Sequence, residues 1–274
     1  RGYSEADPIT VITDSSGEFV ILIPAGIYNI HFEKYGWKPL NRNEDFVVDF
    51  DFGTIQLVVG YLEYVSGDAS GIWGSINDYR VTGDITIPEG DTLTIEAGVN
   101  IYFDGVFNII AEGIIIADGT EEEPIIFTSG QNIPQPNDWG TIELHSPNNV
   151  FRFIEYKYAT NGFSGHDVSG SVFENCKITQ IDVFPDEDEH GDHRWHCHAF
   201  EFEECNACIF SHNIIDAPLY HGIEIEGSAN DVIITNNTFN IHGLPIELVN
   251  PRNSIISFNE LTNIIKGGIK ADGC

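Results

Sequence analysis

The 274 residues contain no methionine and only 12 Lys+Arg, against 43 Asp+Glu, which leaves a formal charge of −31. Small soluble domains usually lie within about 2–8 charges of neutrality. So few basic residues exclude a sequence-independent nucleic-acid binder, which must neutralise phosphates with Lys and Arg. They also exclude docking on an anionic bilayer, which needs a basic patch. No run of 18 apolar residues exists, so no helical span and no direct membrane insertion are expected. With Arg1 first and methionine absent, the chain reads as a processed or trimmed product whose signal peptide is already gone. Cysteine is sparse: Cys176, Cys197, Cys205, Cys208 and Cys274. An odd number leaves at least one thiol free, metal-bound or joined to another chain. Hydrophobic residues are not scarce, at 42%, which excludes a disordered acidic tail. The balance points to a secreted or cell-surface protein whose partners are cations, or neutral or basic surfaces.

Residues 1–61 read as short strands at 9–13, 18–23, 27–33, 46–50 and 54–59, each rich in Val, Ile, Phe or Tyr and bounded by turn residues. DSSGEF at 14–19, IPAGIY at 23–28 and GWKP at 36–39 resemble the carboxypeptidase-regulatory-like (transthyretin-like) modules. The resemblance implies a small β-sandwich that serves as a spacer or stalk. Such modules begin with one more strand than the eight residues before position 9 can supply. Either that strand was removed or another chain supplies it.

From 62 to 274 the pattern changes. YRVTGDITIPEGDTLTIEAGV at 79–99, IADG at 116–119, PIIFTS at 124–129 and WGTI at 139–142 resemble right-handed parallel β-helix proteins of the pectate-lyase-like superfamily. Arithmetic supports a solenoid independently. Val150, Val172, Ile209, Ile233 and Ile255 align, with Phe151, Phe173, Phe210, Ile234 and Ile256 one residue on. Six residues on come Tyr156, Ile178, Ile215, Phe239 and Leu261. Asn213, Asn237 and Asn259 form a polar column, and Phe163, Phe200, Ile223, Ile246 and Ile269 a further apolar one. Coils of 22–24 residues that stack like on like bury one continuous core. The expected fold is all-β, a small N-terminal sandwich (1–61) followed by a right-handed parallel β-helix (62–274).

One coil is about 15 residues too long, and the surplus falls at 182–197. In a solenoid such insertions become loops on one face, often the binding face. This one carries Asp182, Asp186, Glu187, Asp188, Glu189 and Asp192, with His190, His193, His196 and His198, opposed only by Arg194. The register places His198 over His221. Strand alternation turns Phe200, Phe202, Ile223 and Ile225 inward and Glu201, Glu203, Glu224 and Glu226 outward. Glu201, Glu224 and Glu247 then stack as like charges, with Lys270 ending the row, a repulsion that protonation, a bound cation or a basic partner would relieve. The expected ligands of a divalent metal are His190, His193, His196, His198, His221, Asp188, Asp192, Glu201 and Glu224. The His cluster suits Zn²⁺, Cu²⁺ or Ni²⁺ and the carboxylate row suits Ca²⁺. Cys197 could add a thiolate. A solvated acidic loop with surface His is the plainer alternative.

Other features have modest explanations. Cys205 and Cys208 form a CxxC, read as a disulfide or two buried thiols in preference to a zinc knuckle. The sequon at Asn236 is assigned to the Asn column. Lys177 aligns with Glu155 as a cross-strand ion pair. His166, His212 and His242 show no evident partner, and Trp195 and Tyr220 could stack on sugar rings. The last segment, GGIKADGC at 267–274, reads like a coil begun and not continued. That leaves a piece of a longer chain or a homopolymer built by strand addition.

These features favour a non-catalytic extracellular surface or appendage protein. It would present its acidic, His-rich face to metal, to polysaccharide or to copies of itself. The alternative that the β-helix resemblance implies is a Ca²⁺-dependent polysaccharide lyase or glycoside hydrolase. A lyase would use Arg194 as base or clamp.

Overall fold

Apolar residues that recur once per coil can be buried only if successive coils lie in register, and the computed structural model stacks them in that way. It describes residues 61–181, 197–217, 219–265 and 267–273, and the backbone alone of 26–34, 37–46, 186–187 and 193–194. The chain divides into two compact units, Arg1–Val58 and Val59–Cys274. Among the described residues there is no helix, and so none long and apolar enough to cross a membrane.

In the first unit, Gly26–Lys34 and Trp37–Phe46 form an antiparallel pair. Gly26–Lys34 covers the strand expected at 27–33. Trp37–Phe46 was not expected, because Asn41, Arg42, Asn43, Glu44 and Asp45 are poor strand formers. The remaining strands assigned to the sandwich lie outside the described residues.

The second unit is built from three parallel ladders. One runs through Val150–Arg152, Val172–Glu174, Ile209–Ser211, Ile233–Thr235 and Ile255–Ser257. Another joins Ile154–Lys157, Lys177–Thr179, Ile214–Asp216, Thr238–Asn240 and Glu260–Thr262. The last joins Phe163–Gly165, His198–Glu204, His221–Asn230, Leu244–Val249 and Ile269–Asp272. Each apolar column aligned in the sequence is a column of paired strand residues, the Asn column is joined by side-chain amide bonds, and the architecture is a parallel β-helix. Parallel strands buried on one face and joined by short corners need no helices to cover them, because each coil covers the next.

Alternation decides which apolar row is core. Phe151, Phe173 and Phe210 are fully buried, whereas Val150, Val172 and Ile209 face outward and are half-buried. The inner rings stack coil on coil: Phe151 on Phe173 at 5.5 Å and Phe173 on Phe210 at 5.2 Å between centroids. Each offset pair contributes about 0.5–1.5 kcal/mol beyond its buried area.

The corners need left-handed residues. Asn148, Gly170, Ala207, Asp231 and Asn253 all have φ between 50° and 80° at the same place in successive coils. Asn, Asp and Gly adopt this region at least cost. Another such corner holds Asn175, His212 and Asn236. Asn236 is therefore an exposed corner residue, and the buried ladder position is its neighbour Asn237. The sequon asparagine does not belong to the Asn column, contrary to expectation.

A second long coil escaped the sequence arithmetic: Ile116 pairs with Val150, 34 positions on where 22 is usual. Its extra length falls around residues 130–141, which deliver Trp139 to the core against Phe103 at 4.0 Å.

Among the described residues Cys205 and Cys208 form a disulfide, and Cys176 is a buried thiol outside it. Burial pushes the Cys176 thiol up to about 12. At pH 8 only about one molecule in ten thousand then carries the reactive thiolate. Iodoacetamide at pH 8 is expected to leave Cys176 unmodified in the native protein and to alkylate it in denaturant, read by peptide mass. Modification at equal rates in both states would refute this packing.

Candidate metal centre

The insertion leaves the solenoid after Ile181 and the chain re-enters it at Cys197 and His198. His198 opens the strand His198–Glu204, and His221 opens the strand beside it. The two histidines pair across the ladder, as do Glu201 with Glu224 and Glu224 with Glu247. His198 has the parity of Phe200, yet its Nδ1 lies beside the carboxylates of Glu201 and Glu224.

Four residues from two coils converge. His221 Nδ1 lies 2.6 Å from Glu224 Oε2, and His198 Nδ1 lies 3.1 Å from the same oxygen. Glu201 Oε2 is 3.3 Å from His198 Nδ1. The three central side chains are almost enclosed, with 6%, 7% and 11% of His198, His221 and Glu224 exposed. Sequence alternation turned Glu224 outward and left it exposed; the structure turns it outward but buries it. On a third coil, a Glu247 oxygen lies 3.3 Å from His221 Nε2, and the same carboxylate accepts from Lys270 Nζ at 2.5 Å.

His198 is the unusual member. Neither of its ring nitrogens has a hydrogen-bond partner among the described residues, although both are buried. Its contacts to Glu201 and Glu224 are close but out of line. A buried polar group left in this way costs about 1–3 kcal/mol. His198, His221 and Glu224 can bring one donor each within 4.8 Å of one another, and so can Glu201, Glu224 and Glu226. Carboxylates one coil apart repel by about 1–3 kcal/mol between the bulk-water and surface limits. The effect is visible at Glu226. Burial, and then the charges of Glu224, Glu201 and Glu203, hold its carboxyl above the usual range, with His198 opposing.

Of the expected ligands, the structure thus brings together His198, His221, Glu201 and Glu224. His190, His196, Asp188 and Asp192 lie outside the described residues. Of His193 and Arg194 only the backbone is described, paired antiparallel with Asp186 and Glu187. Cys197 does not join the cluster; its Sγ donates to the Thr160 carbonyl at 3.2 Å. Tyr220, read as a sugar platform, lies half-buried against His221, with ring centroids 4.4 Å apart. Trp195 lies outside the described residues.

Three smaller expectations need adjustment. Lys177 stands beside Glu155 in register, but Glu155 pairs with Lys157 at 2.7 Å along its own strand. His166 has a partner after all, Glu203 at 2.8 Å. Glu247 entered the sequence reading as part of the acidic row that Lys270 ends; the approach of His221 to it was not expected.

A shallow open groove of about 310 Å³ lies at the neighbouring corner, lined by Gln180, Asp216, Ala217, Asn240, His242 and Asn263. Asn240 donates to Asp216 at 2.7 Å and accepts from Asn263, so the polar groups on its wall already satisfy one another.

Residues 68–152 match the family described as pectate-lyase like beta helix domain. No curated protein and no solved structure matches the chain. The matched stretch ends at Arg152, before the coils that carry His198, His221 and Glu224. The likeness therefore bears on the fold and leaves the metal-type cluster to be argued from its own geometry.

Proposed function

We propose that this protein is an extracellular, non-catalytic β-helix that presents a divalent-cation-binding acidic face at the root of the insertion. Its coils turn right-handed by the general rule for parallel crossovers. The N-terminal segment, where it resembles a transthyretin-like module, acts as a spacer. The observation that supports this reading is Glu224. Its carboxylate is buried between the stacked Glu201 and Glu247 in a chain of charge −31. Protonation, a bound cation or a basic partner would relieve such a stack; Lys270 reaches one end of it, and the imidazoles of His198 and His221 stand beside its middle. An acidic polysaccharide would meet this face only through a bound cation, because chain and ligand repel each other.

The test is thermal melting of the chelator-stripped full chain. Saturating Ca²⁺ or Zn²⁺, at a hundred times its Kd, is expected to add about 2.7 kcal/mol of stability. For a unit of this size that is about 5–10 °C in Tm. NaCl at matched ionic strength is expected to add much less, because screening is not site binding. Equal shifts with NaCl and with both dications would sink the proposal.

The likeness of residues 68–152 to pectate-lyase like domains favours a second reading, a Ca²⁺-dependent polysaccharide lyase with Arg194 as base. Ultraviolet absorbance of unsaturated products from acidic polysaccharides distinguishes it. Their formation would replace the non-catalytic reading.

A further inference from the structure

Resting on that reading and sharpening it, we infer that His198, His221 and Glu224 form a site for one transition-metal dication of the zinc type, in which Glu247 orients His221. Two imidazoles and one carboxylate make a donor set that zinc, copper and nickel favour and that calcium and magnesium, which take oxygen ligands, do not. An ion with bonds of about 2.1 Å in tetrahedral geometry holds its donors about 3.4 Å apart. His198 Nδ1 already stands 3.1 Å from Glu224 Oε2, and His221 Nδ1 stands 2.6 Å from it. Binding therefore needs the His221–Glu224 contact to open by less than an ångström and the donors of the two imidazoles, within 4.8 Å of each other, to reach the same spacing. Glu201, 3.3 Å from His198 Nδ1, stands at the rim as a fourth donor.

Two further observations point the same way. His198 is 94% buried with no hydrogen bond to either ring nitrogen, and its Nδ1 is aimed between two carboxylates. That is the state of a ligand more than of a core histidine. His221 has its other nitrogen, Nε2, on Glu247, and Lys270 holds that carboxylate in turn. A ligating histidine usually donates its second N–H to a carboxylate, which fixes the tautomer that leaves the metal-facing nitrogen free. His198 belongs to one coil and His221 and Glu224 to the next, so the ion also joins the two coils that flank the insertion.

The experiment is calorimetric titration of the full, untagged, chelator-stripped chain with Zn²⁺ and separately with Ca²⁺, together with X-ray absorption at the zinc edge. One Zn²⁺ per chain is expected, with two imidazole nitrogens in its shell. H198A and H221A are each expected to weaken Zn²⁺ by more than about 100-fold, and E247Q by about 10–100-fold, the usual range for a residue that only orients a ligand. Ca²⁺ binding to the outer carboxylates is expected to survive in H198A. If the alanine variants do not fold, the absorption spectrum of the unmutated chain decides. A zinc shell of oxygen alone, or affinity unchanged in H198A and H221A, overturns the inference. Binding of Ca²⁺ without Zn²⁺ overturns it while leaving the acidic-face reading intact. Binding of neither ion overturns both.

Discussion

Replacing Phe173 by Ala is expected to cost about 3–5 kcal/mol, the range for removing a fully buried phenylalanine. Phe173 is the ring most embedded in the aromatic core. It stacks on Phe151 and Phe210 along its own column and meets Phe163, Phe200 and Phe202 from the neighbouring ladder at 5.0–5.5 Å. The backbone of a solenoid coil is pinned on both sides by ladder bonds, so the hole cannot collapse without breaking register. The upper half of the range therefore applies. In Tm this is about 8–20 °C. The control is Phe258→Ala at the corner that follows the strand Ile255–Ser257: Phe258 is 85% exposed and should change stability by no more than about 0.5 kcal/mol. Because contacts are confined to neighbouring coils, hydrogen exchange in the Phe173 variant should accelerate first in the coils around 150–211 and least in the coils around 79–103. A uniform acceleration would mean that the unit unfolds in one step and that the one-dimensional description fails.

The fold was legible because a solenoid repeats its own evidence. A single apolar run at 209–211 is ambiguous, but Val172, Ile209, Ile233 and Ile255 each confirm the register of the next, and all pair as aligned. The overlong coil before Val150 was missed for the same reason. Its corner at 130–141 has no counterpart against which to align it. Half of the candidate centre was legible as well. Register alone puts His198 over His221 and Glu201 over Glu224. Register does not give enclosure. Alternation turns both Glu224 and Glu226 outward and does not distinguish them, yet Glu224 is buried and Glu226 exposed. The orphaned ring of His198 is a statement about where partners are not, which no residue pattern encodes. The reach of Glu247 to both His221 and Lys270 depends on rotamers across three coils. The loop histidines His190 and His196, and the side chain of His193, lie outside the described residues. The resemblance to the sandwich family faces the same limit, since it rests on turn motifs at 14–19 and 36–39.

The Asn column allows a sharper test, because its expected cost has a direction as well as a size. Asn237 is 1% exposed and its amide makes four bonds. It accepts from the Asn213 backbone and side chain at 2.9 and 3.0 Å, and it donates to the Phe210 carbonyl and to Asn259 Oδ1 at 2.9 Å each. Asn237→Ala strands the Asn213 N–H and the Phe210 carbonyl in a dry interior. At about 1–3 kcal/mol per stranded group the expected loss is about 3–4 kcal/mol. Asn259→Ala should cost less, about 1–2 kcal/mol, because Asn259 is only partly buried and water can replace it. Asn237→Asp separates hydrogen bonding from shape. An aspartate can still accept from Asn213, but its charged form has nothing to donate to Phe210 or Asn259 and must shed its water. Burial and the two facing oxygens therefore raise its carboxyl above the unfolded value. A group whose folded pKa is raised contributes stability that is present below the unfolded pKa and lost as pH rises through the folded one. The Asp variant should consequently lie closest to the parent protein at acid pH, where its O–H can replace one N–H donor, and fall away towards neutrality. Denaturant melts of parent and variant at pH 4 and pH 7 measure the difference directly. An equal penalty at both pH values would mean that the amide of Asn237 fills space without donating, and that the ladder does not hold the coils together.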